Sequence, residues 1–424
     1  MDARSIYMLG VGGIGMSALA QFLKHDGRHV RGSDREESPT TEMLGQKGIE
    51  VEIGQGILPD DAELLIYSDA VPSSHPIRAQ ARERNVEELS YFEALGAITH
   101  RKRTIAVAGT HGKTTTTGML AKILSDAGEK PTAIIGSIVR DFDSNFVAGS
   151  DDLFVIEACE YRDHVLKLNP EILVITNIEL DHTDYFPDLE ALKQTFRTAA
   201  EKVPAHGAII TNPEDHVISD VIRNVSARIV DYTKMAVGSL QLVGEFNRDN
   251  ARAALAAAHL AFPHMSLEAG VKSLSQFKGS WRRFEYKGET PSGAIVYDDY
   301  AHHPTAIRKT IEAARVKFPD KKIVVAFHPH LYSRTRSLMR GFADSLATAD
   351  YAIVAPIYAA REEPDPAVTH VALAEEAAKR GGGEVIALDS FDAIRDALLQ
   401  YDSTHLIITM GAGDIYKVAE QIAD

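Results

Sequence analysis

The segment Thr104-Ile105-Ala106-Val107-Ala108-Gly109-Thr110-His111-Gly112-Lys113-Thr114-Thr115 (104–115) decides how the chain is read. A short apolar run enters a glycine turn, and the turn opens a predicted helix over 113–127. Successive backbone N–H groups in such a turn point inward, and the helix start adds the positive end of its dipole. Together they bind phosphate oxygens. In this pattern Lys113 reaches the β and γ phosphates and the Thr114 hydroxyl ligates Mg²⁺. Gly109, Thr110, His111, Gly112, Lys113, Thr114 and Thr115 are therefore candidate ATP contacts. Read from Gly109 the loop is GxxGKT, shorter than the standard GxxxxGK[ST] form. A glycine-rich turn with no ligand is the plain alternative; strand, loop, Lys-Thr and helix in that order weigh against it.

Outward from this loop, short apolar runs alternate with longer amphipathic stretches. Residues 6–10, 106–109, 153–158, 172–177, 294–299, 322–327, 351–356 and 405–410 read as buried strands. Residues 113–127, 248–261, 304–317, 369–380 and 391–400 read as helices. Strand–helix alternation predicts an α/β fold with parallel sheets covered on both faces. At 424 residues the chain exceeds one ordinary core. Three domains are expected, over 1–98, 99–280 and 281–424, with the basic linker His100-Arg101-Lys102-Arg103 near the first boundary.

A second glycine loop, Gly10-Val11-Gly12-Gly13-Ile14-Gly15, follows the first strand, and Asp34 ends the next one. Alone this GxGxxG spacing suggests a dinucleotide and a ribose-binding acid, hence an NAD-dependent oxidoreductase. The same geometry holds any nucleotide diphosphate, and two phosphate loops on separate domains point to two phosphorylated ligands. Glu157 and Asp181-His182 stand at predicted strand ends, where open parallel sheets bind ligands. A carboxylate and an imidazole there can hold Mg²⁺ against a γ phosphate. Singly, each also reads as an ordinary strand-end acid or surface histidine.

Asn247 and Asn250 open a predicted helix and read first as caps. Arg282 and Arg283 stand at the second boundary, able to reach phosphate or simply solvated. Asp298-Asp299-Tyr300-Ala301-His302-His303 and His328-Pro329-His330-Leu331-Tyr332-Ser333-Arg334 lie at two further strand ends and suggest one polar site. Their histidine pairs invite a zinc reading, but no H-E-x-x-H or C-x-x-C accompanies them.

The net charge is −15 and 45% of residues are hydrophobic. This argues for a soluble globular protein and against a nucleic-acid partner, which would call for a basic face. The single cysteine, Cys159, cannot form an intrachain disulfide. The N-terminus lacks the pattern of a signal peptide, and no apolar run is long enough for a membrane span. A cytoplasmic protein is expected, without membrane insertion.

LGVGGIGMSALA (9–20), VAGTHGKTTTT (107–117), EACEYRDH (157–164), TNIELDHTDYF (176–186), DDYAHHPTAI (298–307), HPHLYSRTR (328–336) and GAGDI (411–415) resemble signature segments of the Mur ligase family, in family order and across nearly the whole chain. The resemblance implies an N-terminal Rossmann-like UDP-binding domain, a central P-loop ATPase domain and a C-terminal Rossmann-like domain that brings the amino acid. It implies an ATP- and Mg²⁺-dependent ligase joining L-alanine to the lactyl carboxylate of UDP-N-acetylmuramate, working as a monomer or homodimer. The UDP contacts implied are Gly10, Gly12, Gly13, Ile14, Gly15, Ser33, Asp34 and Ser68. Glu157 and His182 match metal-binding positions, beside Thr114. Asn247 and Asn250 match adenine-side asparagines. Arg283 matches a phosphate-contacting arginine and Asp299 a residue near the ATP ribose. Tyr300, His302, His330 and Arg334 match the lining of the alanine pocket, with His302 or His330 as acceptor of the amine proton. Lys113, Glu157, His182, Arg283, His302 and His330 form the implied catalytic set.

The chain departs from the family pattern at Phe246, where histidine is usual, at Leu331, where arginine is common, and at Arg361, where glycine is common. The segment 233–244 is short, as though strands of the central domain were missing. Arg197 stands where several related ligases carbamylate a lysine. Two rivals remain beside the oxidoreductase: a murein peptide recycling ligase, and a non-catalytic nucleotide-sugar sensor.

Overall fold

The protein is described from a computed structural model covering residues 2–150 and 152–423; Met1, Asp151 and Asp424 lie outside the described residues. Three sheets form, one within each predicted block. The first joins β1 (Ser5–Leu9), β2 (His29–Asp34), β3 (Glu50–Ile53), β4 (Leu64–Tyr67) and β5 (Glu87–Ser90) in the order β3-β2-β1-β4-β5, all parallel. The chain runs outward from β1 to β3, then returns to β4 on the other side of β1. That reversal opens a crevice at the carboxyl ends of β1 and β4, where the first glycine loop enters α1 (Ile14–His25). A further helix, α2 (Tyr91–Thr99), closes this part of the chain with a capping box between Ser90 and Glu93.

The second sheet contains β6 (Arg103–Ala108), β7 (Thr132–Val139), β8 (Ser144–Val147), β9 (Leu153–Glu157), β10 (Ile172–Ile175), β11 (Ala208–Thr211) and β12 (Arg228–Asp231). Its order is β12-β11-β10-β6-β9-β7-β8. Only the β7–β8 hairpin is antiparallel. β6 lies in the middle, buried on both faces after Arg103, which is why it reads as continuous apolar sequence rather than alternation. It delivers the phosphate loop to α3 (Lys113–Asp126). Helix α4 (Glu245–Ala261) starts slightly before its predicted position. Among the described residues 233–244 no strand forms, as the shortened sequence there implied.

The third sheet runs β13 (Glu285–Glu289), β14 (Ile295–Asp299), β15 (Lys322–Phe327), β16 (Tyr351–Val354), β17 (Glu384–Ala387) and β18 (His405–Met410) in the order β13-β14-β18-β15-β16-β17. β13 is antiparallel and the rest are parallel. Side-chain alternation along β15 fills two cores. Ile323, Val325 and Phe327 pack with Ile307 and Phe342 on one face; Val324 and Ala326 pack with Ile353, Ile394 and Ile407 on the other. Helix α5 (Pro304–Lys317) matches its predicted span. Pro304 occupies its first turn, and the His303 ring caps it by accepting from Thr305 N–H.

The chain packs as two compact units. One comprises the residues up to Ile178 with Leu192–Ser239 and Asp249–Lys278; the other comprises Glu179–Ala191, Leu240–Arg248 and the chain from Gly279. Within the first unit, α1 lies on the β7–β8 hairpin through a buried polar knot. Asn145, fully buried, donates to Ile14 O at 2.6 Å and to Ser17 Oγ at 3.0 Å, and accepts from Gln21 Nε2 at 3.0 Å. Ser144 Oγ donates to Gln21 Oε1, and Phe22 packs on Phe146 and Phe154 beside it. Satisfied buried networks of this kind fix one packing register. Asn145→Leu removes one hydrogen-bond partner each from Gln21, Ser17 and the Ile14 carbonyl, and thermal or urea denaturation should register a loss of about 2 kcal/mol; a loss under about 0.5 kcal/mol would show the knot to be incidental.

Candidate functional site

The phosphate loop is shaped by its neighbours. Gly109 and Gly112 adopt φ of 129° and 84°, conformations open to glycine at little cost. A Cβ at Gly109 would collide with Thr176 Oγ1, and one at Gly112 with Asn250 Oδ1. Thr110 N–H donates to Asn177 O at 3.1 Å and His111 N–H to Asn177 Oδ1 at 2.9 Å. Thr176 Oγ1 and Asn177 Nδ2 both donate to His111 O, at 2.6 and 3.0 Å. Thr176 and Asn177 directly follow β10, the strand paired with β6. Gly112 begins α3 with no capping side chain, so the helix start is left to whatever sits in the turn.

Two acids face this turn from the end of β9, the other neighbour of β6. Glu157 accepts from Thr114 Oγ1 at 3.1 Å and from Gly136 N–H at 2.9 Å. Glu160 pairs with Lys113 Nζ through both oxygens, at 3.1 and 3.0 Å. Lys113 also donates to Gly109 O at 2.5 Å and Thr110 O at 3.2 Å. The Glu160 side chain is 1% exposed. Burial opposes the charge on Lys113, but Glu160 and its neighbours outweigh it and raise the ammonium pKa. Burial pushes the Cys159 thiol, between the two acids, up to about 12, so it remains an unreactive thiol. Thr114, Glu157 and Glu160 offer hard oxygen donors, a set that suits Mg²⁺. Thr176, Asn177 and Glu160 were missed as functional residues in the sequence. Glu160 lies inside a quoted segment, yet its partner is 47 positions away.

The first glycine loop is also pinned by contacts. Gly10 and Val11 N–H donate to Ser33 O at 2.8 and 3.1 Å. Gly12 N–H donates to Asp34 Oδ2 at 2.7 Å, and Arg35 N–H to Asp34 Oδ1 at 2.8 Å. Thr40 Oγ1 donates to Gly12 O. Asp34 therefore holds the turn itself, a role the ribose reading did not include. A Cβ on Gly15 would meet the Tyr91 hydroxyl at 2.7 Å, and one on Gly10 would meet Ser68 Cβ at 2.9 Å. Ser33 is fully buried beneath the turn. Gly13 starts α1 without a capping side chain, leaving a second helix start facing the crevice.

In the second unit the two predicted polar clusters meet around Asp181. Arg334 Nε donates to Asp181 Oδ1 at 2.8 Å, both side chains being buried. Arg334 Nη1 donates to His330 Nδ1 at 3.0 Å. His302 Nε2 lies 3.8 Å from Asp181 Oδ2 and its Nδ1 bonds Tyr300 O at 2.9 Å. Burial alone would raise the Asp181 carboxyl, but Arg334 with His182 and His302 holds it well below the usual range. Burial and Arg334 press His302 far down and His330 to about 3. Both imidazoles are neutral near pH 7, and both are weak bases. His182 itself has φ of 52° and donates its backbone N–H to Asp181 Oδ1 at 2.7 Å. Asp181, flagged by position but given no role, is thus the hub that ties Arg334 to the histidines.

Asp299 accepts from Phe284 N–H and Ala301 N–H, each at 2.7 Å. Burial, against the pull of Arg283, lifts its carboxyl to about 6. The Arg283 guanidinium lies 5.0 Å from the Tyr300 ring centroid. Its neighbour Arg282, with φ of 58°, is buried. It donates to Asp298 Oδ2 at 2.8 Å, Gly413 O at 2.9 Å and Gly411 O at 2.6 Å. The motif itself left the adjacent arginines equal, and only the family resemblance singled out Arg283. Asn247 donates to Val243 O at 2.8 Å, while Asn250 braces Gly112; the two asparagines do different local jobs. Leu331 is buried with φ of 72°. Arg361 pairs with Asp184, and Arg197 bonds Gln194 and Asp220.

Three family profiles match the chain: the Mur ligase family catalytic domain over 5–103, the Mur ligase middle domain over 107–238, and the Mur ligase glutamate ligase domain over 282–413. A UDP-N-acetylmuramate–L-alanine ligase of Desulfitobacterium hafniense is 38% identical over 444 residues, covering 98% of this chain and 99% of its own. One from Rubrobacter xylanophilus is 37% identical with 98% and 99% coverage. The crystal structure of UDP-N-acetylmuramate–alanine ligase from Thermotoga maritima aligns with a TM-score of 0.81 at 26% identity, covering 99% and 98% of the two chains. A murein peptide ligase from Psychrobacter arcticus shares the fold, with a TM-score of 0.72 at 24% identity and coverage of 99% and 100%.

His328, buried between the Tyr358 and Phe391 rings and against Gly413, generates a pH prediction. Burial, only partly offset by Asp414, pushes its pKa down to about 4. The unfolded chain binds this proton near pH 6.5, so the stability His328 confers is full above that pH and lost as pH falls toward about 4. His330 acts in the same direction and Asp299 in the opposite one. In thermal denaturation from pH 7 to 4.5, His328→Asn should show a shallower acid-side loss than the native chain; equal slopes would mean the ring is protonated in the folded state.

Proposed function

Because the chain belongs to the Mur ligase family, we propose that it joins L-alanine to the lactyl carboxylate of UDP-N-acetylmuramate at the cost of ATP, in peptidoglycan precursor synthesis. The observation that carries this is the pair of pinned glycine loops. One is built around Lys113 and Glu160, the other opens α1, in a chain similar over its full length to ligases of that name. Hydride transfer has no use for the lysine loop, and the intact Lys113, Thr114 and Glu157 speak against a mere sensor. We read it as a cytoplasmic enzyme, monomeric or homodimeric; no helix among the described residues is long and apolar enough to cross a membrane.

In this reading the domains over 1–98, 99–280 and 281–424 take the UDP substrate, ATP and the amino acid. Gly10, Gly12, Gly13, Ile14 and Gly15 receive the UDP diphosphate on the open start of α1, with Ser33, Asp34 and Ser68 around them. Gly109 to Thr115 cradle the ATP phosphates, with Asn250, Asn247 and Asp299 on the nucleoside side. Thr114, Glu157 and His182 hold Mg²⁺, which supplies charge stabilisation at the transferring phosphoryl group. The lactyl carboxylate attacks the γ phosphorus, the bond to ADP breaks, and Lys113 with Arg283 offsets the charge that spreads over the oxygens. The neutral amine of L-alanine then attacks the acyl carbonyl, and inorganic phosphate leaves. Arg334 and Tyr300 orient the amino acid. His302, whose Nδ1–H is given to Tyr300 O, offers a neutral Nε2 as acceptor to the amine, whereas His330, whose Nδ1 accepts from Arg334, carries its proton on Nε2. The depressed basicity of both rings makes them positioning groups, and the amine proton leaves with the departing phosphate, a refinement of the base first expected there.

Phosphate release from ATP should require both UDP-N-acetylmuramate and L-alanine, and Lys113→Ala should lower it by roughly 10²–10³-fold, as for loss of one charge-stabilising donor. Turnover only with an L-Ala-containing peptide would move the assignment to the recycling ligases. No turnover with any acceptor, in protein shown to be folded, would sink the ligase reading.

A further inference from the structure

Lys113 is saturated by the protein. Its ammonium donates to two loop carbonyls and to both oxygens of Glu160. An ammonium has three protons, so a phosphate oxygen can take one only if a present acceptor yields. The carbonyls belong to the loop backbone and stay with it. Glu160 carries a negative charge that repels an incoming phosphate, so it is the acceptor that must yield. It is also almost wholly buried, and a carboxylate that deep keeps its charge only beside a cation. Glu157, three positions earlier at the end of β9, already accepts from the Thr114 hydroxyl, so a second hard oxygen set stands within the same short segment.

We propose that Glu160 is an exchangeable counter-ion of the phosphate loop: it holds Lys113 before nucleotide binds, and turns to the divalent cation that accompanies the nucleotide once a phosphate takes the lysine. This rests on the reading of 109–115 as the nucleotide site. Before binding, the pair keeps the half-buried lysine charged and aimed. On binding, one carboxylate changes partner, so metal and nucleotide favour each other through a protein group as well as through their own contact. The metal-free nucleotide has to compete with Glu160 for the lysine, without a divalent cation to draw the carboxylate away.

The test is calorimetric titration of ADP into the intact protein, with Mg²⁺ and in chelator, for the native chain, Glu160→Gln and Glu160→Asp. Removing the charge should tighten metal-free ADP binding by roughly three- to tenfold and shrink the strengthening that Mg²⁺ brings by a similar factor, the size of one charge-assisted hydrogen bond. Glu160→Asp, which keeps the charge, should bind metal-free ADP as weakly as the native chain. A general loosening of the fold would weaken both conditions together and cancel in their ratio. Metal-free binding that weakens in Glu160→Gln, or an unchanged Mg²⁺ ratio, would overturn the proposal while leaving the nucleotide site standing. No ADP binding by the native chain under either condition would overturn the nucleotide reading of the loop and this inference with it.

Discussion

A half-buried lysine ammonium, held in a backbone turn against a buried glutamate, is the constraint on which the central sheet depends. Such a charge favours an opposite charge and occupied protons; the loop after β6 and Glu160 after β9 supply these, and residues after β10 hold the loop in shape, so the three strands must be neighbours. β6 brings the loop carbonyls, β9 brings Glu157 and Glu160, and β10 brings Thr176 and Asn177. Their adjacency at the carboxyl edge is what turns a flexible glycine segment into a fixed cradle. The same bonds explain why glycine is required at 109 and 112: Thr176 and Asn250 occupy the space a Cβ would need.

The second unit repeats the device with arginine. Arg282 with Asp298, and Arg334 with Asp181, are both buried ion pairs. Neither is a strong argument for stability, since desolvation offsets most of the attraction. Each uses its remaining donors to fix something else. Arg282 ties the turn after β18 by two carbonyls, and Arg334 orients the His330 ring. The planar guanidinium fork suits this work, because its donors diverge in fixed directions. Breaking either pair would cost more through the stranded charge than the intact pair contributes.

The sequence made the sheets legible where burial is two-sided. Runs such as KIVVAF and ILVITN stand out because no polar residue interrupts them, and the helices between them carry clear caps and Pro304 at a first turn. Besides β4, β7 and β11, the strands that escaped are the edge ones, β3, β5, β8, β12, β13 and β17. Their exposed residues dilute the apolar signal, and β8 and β13 also break the parallel rule. The candidate residues were legible by motif, whereas their partners were not. Glu160, Asp181, Asn145 and Arg282 act through contacts spanning tens to more than a hundred positions. Two acids three positions apart, or two adjacent arginines, look alike until the fold shows what each one bonds: Glu157 takes Thr114, Glu160 takes Lys113, and Arg282 takes Asp298.

Two departures from the family pattern, read separately in the sequence, become one change in space. Leu331 stands where arginine is common, but its side chain is buried and its backbone is left-handed, a conformation that costs a branched residue roughly 1 kcal/mol or more. The bond from Leu331 N–H to Tyr358 O, beside the bridge between His330 and Tyr358, holds that conformation in place. The neighbourhood has not lost a cation, however. Arg361, where glycine is common, lies close enough to His330 to help Arg334 depress its pKa, and it is anchored by Asp184. Arg361 thus sets a positive charge beside His330 from a loop tied to Asp184. The field around a side chain is defined by the charge near it more than by the chain position that supplies that charge, and here Arg334 and Arg361 reach the same histidine from two different loops.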